Sequence, residues 1–182
     1  MLINKKPLHP NFGVIIEDID LNQVSHNFLY KEIRELFENY SVILFKNQKI
    51  SDDTHINFAK LFGQLENREA MATNSDVEFE LSLVTNQKED KSVYDEYDIK
   101  TLDLKANMLW HTDSTFLPIP ALANIITAKI IPSSGGQTEL ASTRVALKKL
   151  PKDLYYNIKD KKIWHNLSHS RKQINNQLAK ES

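Results

Sequence analysis

A mainly β domain with flanking helices is the fold class that this 182-residue sequence predicts, on three observations. Apolar runs rich in β-branched residues recur at residues 41–45, 121–131 and 137–140. Two stretches, after Ser25 and after Ser51, instead place apolar residues at i, i+3, i+4 and i+7, the stripe of a helix that covers a core. No internal repeat and no Pro/Gly/Ser-rich linker divides the chain, so residues 1–182 are expected to form a single domain. At 21.0 kDa such a domain can bury a real core.

Taken in order, residues 13–17 predict a short strand, followed by the acidic turn Asp18-Ile19-Asp20. Ser25 is placed to cap a helix carrying Phe28, Leu29, Ile33, Leu36, Phe37 and Tyr40 on one face. Residues 41–45, Ser-Val-Ile-Leu-Phe, read as a buried strand. Ser51 with Asp52 and Asp53 marks a second helix start, an N-cap plus acids at the positive end of the dipole. Phe58, Leu61, Phe62 and Leu65 form its stripe, and Gly63 is its stop signal. From Glu66 to Lys105 the pattern weakens: residues 80–85 alternate like a strand, and the acidic stretch 86–100 reads as a loop. Residues 107–117 and 121–131 read as strands, Pro132-Ser133-Ser134-Gly135-Gly136 as a break needing positive φ, and residues 137–140 as a strand resumed. Ser142 caps a short helix ending at Leu150-Pro151, a further helical piece follows, and residues 162–167 are the last strand candidate.

Composition removes several function classes. The chain has no cysteine, which excludes disulfides, Cys-ligated zinc, iron–sulfur clusters and thiol nucleophiles. A net charge of −1 with acids and bases interleaved leaves no electrostatic footprint for nucleic acid or an anionic membrane. The N-terminus lacks an apolar signal region and no apolar run approaches membrane-spanning length, so a soluble cytoplasmic protein is expected.

The chemistry concentrates in Asn107-Met108-Leu109-Trp110-His111-Thr112-Asp113-Ser114-Thr115-Phe116-Leu117. If this segment is a strand, His111 and Asp113 point to the same face while Thr112 points away. An imidazole nitrogen and a carboxylate oxygen side by side are two thirds of the 2-His-1-carboxylate facial triad that holds non-haem Fe(II). The spacing alone is weak, since a chain with 6 His and this many Asp yields roughly 0.4 such pairs by chance. A surface His beside an acceptor, or a hydrogen-bonded core His, is the more common source of such a bare pair.

Its neighbours supply the context. Glu17-Asp18-Ile19-Asp20-Leu21, Ser41-Val42-Ile43-Leu44-Phe45, Phe58-Ala59-Lys60-Leu61-Phe62-Gly63, Trp110-His111-Thr112-Asp113-Ser114-Thr115-Phe116 and residues 132–140 occur in the order seen in the TauD/TfdA family of Fe(II)/2-oxoglutarate-dependent dioxygenases. The chain resembles that family over nearly its whole length, most closely the aryloxyacetate branch. The resemblance implies a double-stranded β-helix, or jelly-roll barrel, with helices outside it. It places His111 and Asp113 at the first two iron ligands, and Thr138 where a hydroxyl hydrogen-bonds the distal carboxylate of 2-oxoglutarate. Asn107 falls at a position that faces the substrate, and His169 where the family often carries a histidine in a strand distant from the metal pair, read here as structural. Implied with them are Fe(II), 2-oxoglutarate and dioxygen, and a small, acidic organic substrate that is hydroxylated as 2-oxoglutarate is decarboxylated to succinate. No nucleic acid or membrane partner is implied, and homo-oligomerisation is left open.

The family's second histidine ligand and its 2-oxoglutarate-binding arginine lie further downstream in a longer chain, and neither motif occurs before Ser182. The sequence therefore reads as the N-terminal portion of a family member, its barrel incomplete at the C-terminus. Three readings stay open at this point: part of a working dioxygenase; a non-catalytic remnant without a complete metal site; or a rearranged centre recruiting His165 or His169 as third ligand.

Overall fold

The computed structural model describes residues 3–25, 28–66, 81–115 and 117–175. The chain divides into two compact units, residues 1–65 with 125–161, and residues 66–124 with 162–182.

The first unit is built on a three-stranded sheet in the order β1-β2-β3, with β1 at Lys5–Pro7, β2 at Val14–Ile16 and β3 at Ile43–Phe45. β1 runs antiparallel to β2, pairing Lys5 with Ile16 and Pro7 with Val14. The reversal between them turns at Gly13, whose φ of +81° suits a residue without a side chain. A Cβ at that position would lie 3.1 Å from the Leu8 side chain, so the close approach of the two strands also depends on the glycine. β2 and β3 are parallel, Val14 opposite Ile43 and Ile16 opposite Phe45, and parallel strands need a crossover. Helix α1, Phe28–Tyr40, supplies it, burying Ile33 and Leu36 on its inner face.

Helix α2, Asp52–Leu61, starts as its sequence predicts: the Ser51 hydroxyl accepts the Thr54 N–H at 3.1 Å, and Asp52 and Asp53 occupy the first turn. Gly63 follows its end with φ +137°. Leu21, Ile33 and Phe58 form the centre of the core, with Ile43, Phe45, Phe62 and Ile125 packed around them. Phe58 meets Phe45 and Phe62 edge-on, at centroid distances of 5.8 and 5.5 Å. α2 also holds the segment after residue 124, for the His55 ring bonds the Ile125 carbonyl at 3.0 Å and Lys129 pairs with Asp52. Helices α4, Thr143–Lys149, capped by Ser142, and α5, Lys152–Ile158, introduced by Pro151, complete this unit.

In the second unit α3, Ile99–Ala106, lies beside α6, Leu167–Lys172, and its Leu102 and Ala106 pack with Ile174, two residues past the end of α6. Asp98 caps α3 by accepting the Lys100 N–H, and Asn166 caps α6 by accepting the His169 N–H.

Several sequence expectations change here. α3 begins inside the stretch read as a polar loop, because Ile99, Leu102 and Ala106 make a narrow stripe hidden among charged residues. Residues 107–115 are not a strand. Residues 107–110 unwind from α3 in turns, Met108 N–H bonding Lys105 O and Leu109 N–H bonding Ala106 O at 3.2 Å each. A further turn carries Ser114 at φ +60°, incompatible with a continuous pleat. Residues 121–131, 137–140 and 162–166 join no ladder among the described residues. β-Branched composition suits a pleated surface, but a strand exists only with a partner. Leu167 opens a helix rather than closing a strand, so His169 is helical. Residues 81–85 are irregular, while Glu80 and Phe116 lie outside the described residues. Among the described residues the strands are those of the one small sheet, so helix outweighs strand where a mainly β chain was expected.

Candidate metal centre

The site grows out of the C-terminus of α3. Asn107 is the residue that ends the helix, with φ −71° and ψ −10°, and the next turn delivers His111 and Asp113. His111 Nε2 and Asp113 Oδ1 stand 3.2 Å apart. The convergence that the strand reading expected is therefore present, but a turn makes it. Ser114 pins that turn. Its side chain is buried at 5% exposure and its hydroxyl donates to Glu66 Oε2, while Thr115 Oγ1 donates to Thr112 O at 3.3 Å.

Each member of the pair has a second contact that decides what its facing atom can do. His111 Nδ1 lies 2.6 Å from the Leu109 carbonyl. A carbonyl only accepts, so Nδ1 carries the proton, and in the neutral ring Nε2 presents its lone pair towards Asp113. Asn124 Nδ2 donates to Asp113 Oδ2, leaving Oδ1 to face the imidazole. Two lone pairs facing one another at this separation repel, and a metal cation between them would relieve the repulsion. Adjacent ligands at 90° around an ion with bonds of about 2.1 Å are about 3.0 Å apart. The observed spacing fits two neighbouring corners of such a polyhedron. Side-chain exposures of 44% and 52% leave both groups open to an incoming ion.

The other sequence-nominated residues fall as follows. Asn107 Oδ1 accepts from Arg171 Nη2 at 3.2 Å, and the same nitrogen pairs with Asp103 at 3.1 Å. Since guanidinium only donates, the oxygen end of the Asn107 amide is committed to Arg171 and the NH2 end is the one left to offer. Thr138, in the first unit, is exposed on the segment after the Gly135-Gly136 turn, where both glycines have positive φ, +75° and +69°. A Cβ on Gly136 would come within 3.1 Å of Pro132, so that turn depends on its glycine. His165 Nδ1 lies 3.2 Å from Thr115 Oγ1, two residues beyond Asp113. Yet among the described residues no three His, Cys, Asp or Glu side chains come together as a metal-holding group. Neither His165 nor His169 therefore joins the pair as the rearranged-centre reading required. The sequence reading missed Asn124, Arg171, Glu66 and the Leu109 carbonyl. Only a structure brings Arg171 to Asn107, and a backbone acceptor has no letter in a sequence.

The chain is similar to several known proteins. The family model for taurine catabolism dioxygenase TauD, TfdA family, matches residues 4–181. An alpha-ketoglutarate-dependent 2,4-dichlorophenoxyacetate dioxygenase from Cupriavidus pinatubonensis is 33% identical over 174 residues, covering 94% of this chain and 61% of the relative. An (S)-phenoxypropionate/alpha-ketoglutarate-dioxygenase from Sphingobium herbicidovorans is 29% identical over 173 residues, covering 94% of this chain and 56% of the relative. Among solved structures, that of AAD-2 in complex with Mn(II) and N-oxalylglycine superimposes with a TM-score of 0.81 at 28% identity, covering 95% of this chain and 60% of that one. The chain thus spans about three fifths of the length of these relatives.

Proposed function

Because this chain belongs to the TauD/TfdA family of 2-oxoglutarate-dependent dioxygenases, we propose that it forms part of an Fe(II)-dependent enzyme that hydroxylates a small acidic organic molecule. The observation that carries the reading is the His111–Asp113 pair, with Nε2 and Oδ1 at the spacing of neighbouring ligands and both back atoms already engaged. When bound, Fe(II) with 2-oxoglutarate and dioxygen supplies the oxidising power that places a hydroxyl on a substrate C–H carbon, with release of succinate and carbon dioxide. The chain's own residues bind and orient. His111 and Asp113 would supply two of the metal's ligands, and the co-substrate and oxygen would take positions that protein side chains leave open. Thr138 would be the residue that, as the family resemblance implies, offers a hydroxyl to the distal carboxylate of 2-oxoglutarate.

Asn107, its oxygen held by Arg171, turns its NH2 towards an acceptor oxygen of the substrate. An aryloxyalkanoate, with an ether oxygen and a carboxylate, offers such acceptors, and the names of two relatives specify substrates of that class. The jelly-roll barrel, a single TauD/TfdA-like domain to which residues 1–182 belong, and a cytoplasmic setting are parts of the same proposal. Among the described residues no helix is long and apolar enough to cross a membrane.

The test is an anaerobic titration of the protein with Fe(II) and 2-oxoglutarate, following the visible charge-transfer band of the chelated co-substrate, with Asp113→Ala as control. A saturable band that Asp113→Ala removes is the expected result. A band indifferent to the substitution rejects the assignment of Asp113 as a ligand, and no band from folded protein means that these 182 residues do not complete the site by themselves.

A further inference from the structure

We infer that Asn124 is a positioning residue of the metal centre, which makes Asp113 a one-oxygen ligand. The inference rests on the reading of His111 and Asp113 as metal ligands. A carboxylate left to itself can meet an ion with either oxygen or with both, and chelation through both uses an extra coordination position. Asn124 removes that freedom: its Nδ2 donates to Oδ2, while Oδ1 alone faces His111 Nε2. The orientation of the amide follows from the same contact, because its carbonyl end against a carboxylate oxygen would be repulsive. Leu109 does for His111 what Asn124 does for Asp113, its carbonyl holding Nδ1–H so that Nε2 is the free lone pair. The two ligand atoms are thus aimed by two separate outer contacts, the arrangement by which outer-shell groups tune metal affinity.

A purely structural role for this hydrogen bond is a poor explanation of its geometry. Asp113 is 52% exposed, and water would satisfy Oδ2 without a partner. Asn124 lies on an irregular segment, eleven residues along the chain from Asp113, in which neither helix nor ladder needs the contact. Removing it should therefore leave folding stability nearly unchanged while altering the metal's grip.

Mn(II) is the probe, being redox-inert in air on this timescale and readable as free ion by electron paramagnetic resonance. Binding is compared for the parent, Asn124→Ala, Asn124→Gln and Asp113→Ala, with urea unfolding of each metal-free protein. The expected results are an Mn(II) affinity about 10- to 100-fold weaker in Asn124→Ala, partial recovery in Asn124→Gln, and coincident unfolding curves for parent and Asn124→Ala. A second readout needs no metal: the Asn124 side-chain NH2 signals in a 1H–15N spectrum should move when Asp113 becomes Ala. Affinity within twofold of the parent in Asn124→Ala, or an Asn124 signal indifferent to Asp113, overturns the inference. Parent binding that does not depend on Asp113 overturns instead the metal reading beneath it.

Discussion

Ser114 shows how much one residue contributes to the aim of its neighbours. A serine at φ +60° carries a Cβ where glycine would carry none, and that conformation costs roughly 1 kcal/mol; it persists because the buried hydroxyl donates to Glu66. A hydrogen bond to a charged group contributes about 1.5–3 kcal/mol, enough to outweigh the strain. Ser114→Ala keeps the strain and loses the bond, so its unfolding free energy should fall by about 1–3 kcal/mol, whereas Ser114→Gly relieves the strain and should lose less. Urea unfolding of both variants checks the order, and a Gly variant less stable than Ala would contradict it. The same residues show what a sequence can and cannot tell at this scale. His111 and Asp113 are legible from residue type and spacing, but the spacing suggested a pleat, and Ser114's backbone makes a turn. Asn124 and the Leu109 carbonyl, which aim the pair, carry no local signal.

Among the elements, those with strong local chemistry were legible. α1 shows a full stripe, and α2 combines a Ser cap, two acids and a terminal glycine, so propensity, capping and pattern agree. α3 escaped because its apolar face is two or three residues wide and its cap, Asp98, sits in a run of acids that reads as solvated loop. The apolar runs after residue 120 misled in the opposite direction: strand composition is local, and strand pairing is not.

α3 packs only a small apolar face against Ile174, just past α6, so Arg171 has a large share in docking the two helices, with a side chain only 16% exposed and bonds to both Asp103 and Asn107. Arg171→Met keeps most of the stem and removes the charge. Asp103 is 48% exposed and can turn to water, so the expected loss is modest, about 1 kcal/mol in urea unfolding. The more telling signal is local: the Asn107 side-chain NH2 resonances should shift and sharpen as its oxygen is released. Unchanged Asn107 resonances in Arg171→Met would show that α6 does not orient that amide.

At the scale of the whole molecule, acid should weaken the fold through carboxylates spread across its surface. The ammonium of Lys6, with that of Lys46, hydrogen-bonds Glu17 and holds its carboxyl below the ordinary range, joining β1 to the residue after β3. Lys129 does the same to Asp52 at the start of α2. Asp20 is lowered by the backbone and side chain of Asn22, and Asp90 by the hydroxyl and backbone of Ser92. A carboxyl with a depressed folded-state pKa binds its proton less readily than the unfolded chain does. Its contribution is complete above the ordinary carboxylate value of about 4, and it is lost as pH falls from there through the lower folded value. The direction is the same for all four groups, so their losses add. Protonation also moves a chain of net charge −1 towards the full positive charge of 23 Lys and Arg plus 6 His, and self-repulsion adds to the decline. Salt separates the causes, because it screens the exposed lysine pairs of Glu17 and Asp52 more than the neutral hydrogen bonds of Asp20 and Asp90. The urea midpoint should hold steady from neutral pH to about pH 5 and drop by about pH 3. Glu17→Gln, which cannot titrate, should drop less steeply, and high salt should narrow the gap between it and the parent. A parent midpoint flat across that window, or a Glu17→Gln curve parallel to the parent's, would mean that these surface carboxylates do not govern acid stability.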